Sequence, residues 1–184
     1  AINAAGDCFE LAEKAGIKFI MAMGVTFFCP YQGIIADEAI FNVVNKLHKK
    51  GIRRLYLAAS TGMENPIHIS RIFTAVRDRW PDLELGFHMH ERTGMAAANM
   101  FAALNAGAKS VEGSICGIGG GIAMPGGMGD IGNLPTEDIV NMLNRSDLDT
   151  GLDTDLILTT AKKIETILDI PSRSFAARNK DIGV

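Results

Sequence analysis

The stretch Leu83-Glu84-Leu85-Gly86-Phe87-His88-Met89-His90 decides the fold, because it is a short apolar run that leads directly into an Ala-rich helical segment. Trp80-Pro81 ends the preceding helix, and Gly107 ends the helical segment that covers about residues 94–106. A strand followed by a helix is the repeating unit of parallel sheets. The stretch therefore predicts one β-α unit whose strand ends in two histidines.

The same alternation continues on both sides of this unit. Further strands are predicted over residues 17–25, 54–58 and 110–116, and further helices over 5–15, 36–50, 66–80, 135–138 and 154–168. Asn65 before Pro66 is a typical helix start, and Asp153 is a second capping residue. The chain therefore contains four β-α units, which we interpret as one domain over residues 1–184.

Four consecutive β-α units leave two open sheet edges unless further strands join them, whereas a closed (β/α)₈ barrel of about 250 residues has none. The pattern therefore predicts an α/β fold, a partial TIM barrel of about four β-α units plus terminal helices. A complete open doubly wound sheet is the alternative architecture. Hydrophobic periodicity alone does not separate the two.

Composition excludes several classes of protein. The 184 residues are 47% apolar and 21% charged with a formal net charge of -3, which is typical of an ordered globular protein. Lys and Arg are scattered, so we expect no nucleic-acid or membrane partner, and no apolar run approaches the ~20 residues that span a bilayer. The three cysteines Cys8, Cys29 and Cys116 form no disulfide pattern. We expect a cytoplasmic protein.

His88 and His90 are the first candidate site residues. Side chains two positions apart on a strand point to the same face, so the two imidazoles project together. Neutral imidazole nitrogens ligate metals, and α/β enzymes place their sites at the carboxyl ends of strands. A His-x-His pair can also simply end a strand and bond to nearby backbone. The position at the strand end favours a metal.

The other two histidines are not candidate site residues. His48 lies in the last turn of its helix beside two lysines, where a cation complements the helix dipole, so we predict it at the surface. His68 falls on the polar side of its helix, opposite Ile69 and Ile72. We assign His68 no function.

A glycine-rich segment follows the last predicted strand and covers residues 117–132. It leaves the sheet at the same end as the histidines, so it predicts either a lid or a flexible connector. No Lys-Ser or Lys-Thr pair follows the glycines, which excludes a Walker phosphate loop. Asn133 comes directly after the segment and could ligate a hard metal or cap the next helix. Spacing alone favours the cap.

In combination these motifs resemble the metal-dependent carbon–carbon lyases and synthases built on a (β/α)₈ barrel, the DRE-TIM metallolyase superfamily, and most of all the hydroxymethylglutaryl-CoA lyase family. The resemblance covers almost the whole chain and matches the C-terminal half of the family barrel. It lies in ordered motifs: Cys29-Pro30-Tyr31-Gln32-Gly33, Thr61-Gly62-Met63-Glu64-Asn65-Pro66, His88-Met89-His90, Ala98-Asn99, Val111-Glu112-Gly113-Ser114, Gly132-Asn133-Leu134 and Thr136-Glu137-Asp138.

The resemblance implies roles for four residues. His88, His90 and Asn133 would ligate a divalent metal, with Mg²⁺ or Mn²⁺ expected and Zn²⁺ compatible with the donors. This implication reverses the capping preference for Asn133. His88 would also act as general acid and base. Arg173 would contact a phosphate of coenzyme A, although it also suits a solvated position at a helix end.

The reaction that the resemblance implies is a retro-Claisen or retro-aldol cleavage of a 3-hydroxyacyl-CoA or a related hydroxy acid, in which a metal stabilises an enolate. The sequence departs from the family pattern at three places. The family's loop cysteine would fall at Gly121 or its neighbours, Ala58-Ala59-Ser60 replaces Gly-Asp-Thr, and Glu91 replaces an aspartate. These departures leave open a 4-hydroxy-2-oxo acid aldolase of the same superfamily and a non-catalytic barrel subunit.

The family's first four strands, which carry a catalytic arginine and the first metal aspartate, have no counterpart in these residues. We therefore expect residues 1–184 to be the C-terminal half of a (β/α)₈ barrel, either within a longer protein or completed by another chain. The expected protein partner is either a second copy of this chain in a homo-oligomer or the missing N-terminal half. The expected ligand is a small hydroxyacyl-CoA or hydroxy acid.

Overall fold

The computed structural model describes residues 1–120 and 131–178. Most of the glycine-rich segment, which we predicted to be a lid, lies outside the described residues, and so does Gly121. The elements in chain order are α1 (Ile2–Lys14), β1 (Met21–Met23), β2 (Phe28–Cys29), β3 (Gly33–Ile34), α2 (Asp37–Lys49), β4 (Arg54–Ala59), α3 (Pro66–Arg79), β5 (Glu84–Met89), α4 (Ala96–Asn105), β6 (Ser110–Glu112), α5 (Thr136–Asn144), α6 (Thr154–Leu168) and α7 (Phe175–Arg178).

The sheet is parallel and its strands follow the order β1, β4, β5, β6. Leu57 of β4 lies beside Phe87 of β5, which lies beside Val111 of β6. Each new strand is therefore added on the same side of the previous one. A doubly wound sheet contains a switch point where the strand order reverses, whereas a barrel sector does not. Among the described residues the order is that of a barrel sector.

Helix α3 shows how local sequence sets the elements. The side chain of Asn65 accepts a hydrogen bond from His68 N at 3.0 Å, and Pro66 occupies the first turn, as predicted. On the inner side of the helix, Ile69 and Phe73 are fully buried against the sheet. Helix α3 therefore covers the sheet with one apolar face.

Three phenylalanines join the helices to the sheet. The ring of Phe73 meets the ring of Phe87 edge to face with centroids 5.6 Å apart, and Phe27 contacts both rings with centroids 6.4 Å away. All three side chains are fully buried. Edge-to-face contacts of this kind add about 0.5–1.5 kcal/mol per pair to the burial of apolar area. This aromatic cluster anchors β5, the strand that carries the histidine pair.

The C-terminal helices fold back onto the start of α5. The carboxylate of Asp138 accepts hydrogen bonds from Ser174 Oγ at 2.7 Å, Phe175 N at 3.1 Å and Ala176 N at 2.8 Å. These bonds satisfy the free N–H groups at the start of α7. The segment around Arg173 is thereby held beside α5.

No helix among the described residues is both long enough and apolar enough to cross a membrane.

Two predicted strands are shorter in the structure than we predicted. The strand at 17–25 is reduced to β1, because Ile17 and Ile20 are exposed before it and Val25 has a positive φ of 53° after it. The strand at 110–116 is reduced to β6, because Cys116 adopts a φ of 59° in a 3₁₀ turn over Ile115–Gly117. Left-handed backbone ends an extended strand.

Two further expectations were incomplete or wrong. The small antiparallel hairpin formed by β2 and β3 was not predicted. His68 is 7% exposed rather than solvated, because Phe27 packs edge-on against its ring and Asp37 approaches its Nε2 at 3.7 Å. Burial accordingly lowers the pKa of His68.

Candidate active site

The two histidines lie side by side at the carboxyl end of β5. His88 belongs to the strand and His90 follows it by one residue. Their ring centroids are 5.0 Å apart with an interplanar angle of 75°. The two-residue spacing thus brings both imidazoles to one place, as the strand period predicts.

His90 is the more firmly held of the pair. Its backbone N donates to Ala59 O at 3.1 Å, which fixes it against the end of β4. Its ring Nδ1 lies 3.1 Å from Ile131 O, inside the protein. Because a carbonyl oxygen can only accept, Nδ1 carries the proton and Nε2 of the neutral ring keeps its lone pair. His90 therefore presents one nitrogen that can bind a metal.

His88 is half-buried and faces a carboxylate. Its Nδ1 lies 3.8 Å from Glu112 Oε1 on the neighbouring strand β6. Burial lowers the pKa of His88, and His90 lowers it further, while the Glu112 carboxylate opposes both effects. The lowered pKa favours the neutral imidazole, which is the form that ligates metals or accepts a proton.

Asn133 comes to the histidines across a long loop. It forms an isolated antiparallel bridge with His90, and Glu91 N donates to Gly132 O at 2.9 Å beside it. The side-chain Nδ2 donates to Ile118 O at 2.9 Å. Its Oδ1 is buried without a hydrogen-bond partner among the described residues. Asn133 does not cap α5, whose N-cap is Pro135.

These side chains offer a mixed set of donors for a divalent cation. Two imidazole nitrogens and one amide oxygen suit Mn²⁺ or Zn²⁺, and the amide oxygen also suits Mg²⁺. Within residues 1–120 and 131–178 no cluster of three or more His, Cys, Asp or Glu side chains forms a metal site. Asparagine completes the set here, and an unpartnered buried amide oxygen costs stability unless a cation or donor reaches it. The residues present fit a divalent metal.

A cavity of about 520 Å³ opens beside Asn133. Its walls are mainly apolar, with Met142 among them, and two arginines, Arg92 and Arg173, line it together with two acids, Glu91 and Asp138. The guanidinium of Arg173 lies directly on Gly132, because a Cβ atom there would stand 2.0 Å from Nη1. The residue predicted to contact coenzyme A therefore lies next to the residue predicted to bind metal.

Neither described cysteine near the sheet behaves as an active-site thiol. Cys116 is buried, its Sγ donates to Ala161 O at 3.3 Å, and burial raises the pKa of its thiol. Cys29 lies in the β2 strand of the hairpin and is partly exposed. Cys116 is therefore a buried structural thiol.

Sequence reasoning missed two buried acids near the site. Glu64 Oε1 accepts from Thr61 Oγ1 at 3.1 Å, while Oε2 has no partner among the described residues. Glu137 accepts the backbone N–H of Cys116 with both oxygens. Burial is the main cause that raises the pKa of each carboxyl. Both residues lie in motifs of the family resemblance, but their burial had no local sequence signal.

The chain is similar in sequence to CoA-dependent lyases. It is 33% identical over 165 residues to a hydroxymethylglutaryl-CoA lyase of Bacillus subtilis (strain 168), which covers 89% of this chain and 54% of the relative. It is 29% identical over 159 residues to the (R)-citramalyl-CoA lyase of Chloroflexus aurantiacus, which covers 86% of this chain and 49% of the relative. The chain spans about half the length of the curated relatives it matches.

The fold agrees with these matches. The crystal structure of the Bacillus subtilis HMG-CoA lyase superimposes with a TM-score of 0.88 at 30% identity and covers 96% of this chain and 58% of that chain. The predicted partial TIM barrel is thereby confirmed. The HMGL-like family model matches residues 1–164. The chain belongs to the HMGL-like family.

Proposed function

We propose that the protein is a divalent-metal-dependent carbon–carbon lyase that cleaves a 3-hydroxyacyl-CoA or a related hydroxy acid. One observation supports the metal site. The side-chain oxygen Oδ1 of Asn133 is buried without a hydrogen-bond partner among the described residues, and Asn133 pairs with His90. Relatives named as CoA lyases support the reaction class. That residues 1–184 form one domain within a larger barrel remains a prediction.

His88, His90 and Asn133 would hold the metal. A bound divalent cation would supply positive charge where the enolate develops. His90 is kept in one tautomer by the carbonyl of Ile131, so its Nε2 points away from that bond. The backbone pairing of Asn133 with His90 keeps the two residues side by side, and the Ile118 carbonyl holds the amide nitrogen of Asn133.

His88 would move the proton of the reaction. In a retro-Claisen cleavage a base takes the proton of the substrate hydroxyl, the carbon–carbon bond breaks, and the electron pair is held as an enolate until a proton is returned. Burial lowers the pKa of His88, which favours the neutral ring that can accept a proton, and Glu112 near Nδ1 would stabilise the imidazolium, which can form only while the ring is not bound to the metal. A single imidazole could thus accept and return the proton.

The cavity beside Asn133 would hold part of the acyl-CoA. A pantetheine chain needs apolar walls and a phosphate needs positive charge, and the cavity offers both. Arg173 supplies a guanidinium next to Gly132, at the end of the cavity near the proposed metal centre. We assign Arg173 to an anionic group of the substrate, with a CoA phosphate as the first choice.

One assay separates this function from its alternatives. The purified protein is incubated with Mn²⁺ and, in separate reactions, with 3-hydroxy-3-methylglutaryl-CoA and with a 4-hydroxy-2-oxo acid. We expect metal-dependent release of acetyl-CoA from the first substrate. Release of pyruvate from the second substrate alone would indicate the aldolase, and no turnover of either would favour the non-catalytic subunit.

Two histidine variants locate the chemistry. His88→Ala is expected to abolish turnover, because it removes the proposed base and one ligand. His48→Ala is the matched control, since His48 pairs with Asp82 at 2.9 Å at the end of α2, far from the carboxyl end of the sheet. Near-normal activity of His88→Ala would remove this residue from the mechanism.

A further inference from the structure

An asparagine can bind a metal only if its amide oxygen, and not its amide nitrogen, faces the metal. The side chain of Asn133 could rotate and present either Nδ2 or Oδ1 to the same point. Here Nδ2 donates to Ile118 O, and Oδ1, at the other position of the planar amide, has no hydrogen-bond partner among the described residues. The carbonyl of Ile118 therefore decides which atom of the amide is left for a ligand.

Ile118 is itself placed by an unusual turn. The preceding 3₁₀ turn Ile115–Gly117 contains Cys116 at φ 59° and Gly117 at φ 67°. Glycine adopts such a conformation freely, but a residue with a Cβ loses roughly 1–2 kcal/mol there. The turn at Cys116 consequently needs compensating contacts to persist.

Glu137 supplies these contacts from the first turn of α5. Both of its carboxylate oxygens accept the backbone N–H of Cys116, at 2.9 and 3.0 Å. The side chain is 1% exposed, so water does not compete for that N–H. The carbonyl of the same residue is also held, since Cys116 O accepts from Arg173 N at 3.0 Å. A buried carboxylate that accepts a backbone N–H is a strong local constraint.

Close packing carries this constraint from the turn to Asn133. A Cβ atom at Gly119 would stand 2.1 Å from Asn133 Nδ2, and one at Gly117 would stand 3.0 Å from Asn133 O. Neither glycine leaves room for the turn to shift without moving the asparagine. Ser114 Oγ donates to the same Ile118 carbonyl and holds it from the strand side.

We propose that Glu137 is a positioning residue for the metal site: its carboxylate holds the left-handed turn at Cys116, and the turn presents the Ile118 carbonyl that orients Asn133. The inference rests on the proposed function in one respect, because it takes Asn133 as a ligand. The orientation of the asparagine is nevertheless a property of the metal-free protein, and it can be measured without any ligand.

The test combines two measurements on the full chain. The first is hydrogen exchange of the Asn133 Nδ2–H and Cys116 N–H groups by NMR without metal. The second is the dissociation constant of Mn²⁺ alone by electron paramagnetic resonance. Glu137→Ala is expected to speed exchange of both groups at least about 10-fold and to weaken Mn²⁺ binding by roughly 10-fold to 100-fold.

Three further variants rule out a general loss of structure. Glu137→Gln keeps an oxygen that can accept from Cys116 N, so we expect slow exchange and Mn²⁺ affinity within about 3-fold of wild type. If the Ala variant does not fold, Glu137→Asp replaces it, since its carboxylate is one methylene too short to reach Cys116. Glu165→Ala is the matched control, because Glu165 holds Ser172 N at 2.7 Å in the same C-terminal segment.

The outcomes separate the positioning role from the metal site. Unchanged exchange of Asn133 in folded Glu137→Ala, or an equal loss in Glu165→Ala, would overturn the positioning role. Faster exchange in Glu137→Ala alone supports it. If exchange responds in this way but the wild-type protein binds no Mn²⁺, the positioning role stands and the proposed metal centre falls.

Discussion

The apolar core beside the sheet and the polar groups at its carboxyl end differ in how completely their atoms are satisfied. In the core, Phe73, Phe87 and Leu57 are fully buried and bring no polar atom with them. At the carboxyl end, Asn133 Oδ1 and Glu64 Oε2 are buried without partners among the described residues. The core gains free energy from burial, whereas these oxygens lose it.

This difference separates stability from function within one small chain. An unpartnered buried oxygen costs about 1–3 kcal/mol, so a protein keeps one only where a ligand, a proton or a tightly bound water reaches it. Substitutions in the core should therefore affect folding and spare binding. Substitutions at the carboxyl end should affect binding and leave folding unchanged or improved.

The largest effect, on the free energy of unfolding, is expected from a substitution in the core. Phe73→Ala removes a fully buried ring that contacts Phe27 and Phe87, and we expect the free energy of unfolding to fall by about 3–5 kcal/mol. Urea denaturation measures this change. Because Phe73 lies on α3, the fraction that stays folded should bind Mn²⁺ as the wild-type protein does.

Phe175→Ala is the matched control for Phe73→Ala, since the ring of Phe175 is 72% exposed. We expect its effect on the free energy of unfolding to stay within about 0.5 kcal/mol. If both variants lost the same stability, or if Phe73→Ala lost Mn²⁺ affinity while folded, the separation of core and site would be wrong.

The next effect is expected at the carboxyl end. Asn133→Ala removes the amide oxygen of the proposed ligand set, and we expect Mn²⁺ binding to weaken by about 100-fold, which corresponds to about 2.7 kcal/mol. The free energy of unfolding should change by no more than about 1 kcal/mol, because the lost bond to Ile118 is offset by removal of the unpartnered oxygen. Titration with Mn²⁺ and urea denaturation give the two values.

Asn141→Ala is the control for Asn133→Ala, because Asn141 lines the neighbouring cavity and lies outside the proposed ligand set. Its Mn²⁺ affinity should match that of the wild-type protein. A wild-type affinity for Asn133→Ala would exclude this residue as a ligand and leave only the two histidines.

The sequence predicted the parts of the site that depend on short-range periodicity. His88 and His90 project together because a strand has a period of two, and no other element is needed for that conclusion. The start of α3 at Asn65 was predicted for the same reason, since a cap is a local structure. Both features are found where they were predicted.

Long-range contacts set the parts that the sequence did not reveal. Asn133 looked like a helix cap from its spacing, but it pairs with His90, whose position depends on the whole sheet. Glutamate is a residue type that usually lies at the surface, and only the packing of other segments buries Glu64 and Glu137. His68 is the same case, because Phe27 from another element covers its ring.

The smallest predicted effect is that of a substitution at Glu64. It tests whether a proton satisfies one of the buried oxygens without partners at the carboxyl end of the sheet. Burial raises the pKa of Glu64 above its ordinary 4.5, so the folded state holds this proton at pH values where the unfolded state has lost it. The stability that Glu64 contributes is therefore fully present below about pH 4.5 and is lost as pH rises through the folded pKa. A glutamine at this position keeps the shape of the acid and has no such pH dependence.

Glu64→Gln should accordingly match the wild-type protein near pH 4.5 and exceed its free energy of unfolding at pH 8 by on the order of 1 kcal/mol. Urea denaturation of both proteins across this pH range measures the difference. Glu10→Gln on the exposed face of α1 controls for the loss of a charge and should differ from wild type by less than about 0.5 kcal/mol. A stability difference for Glu64→Gln that stays constant with pH, or that shrinks as pH rises, would mean that the buried oxygen is satisfied by a water or a cation rather than by its own proton.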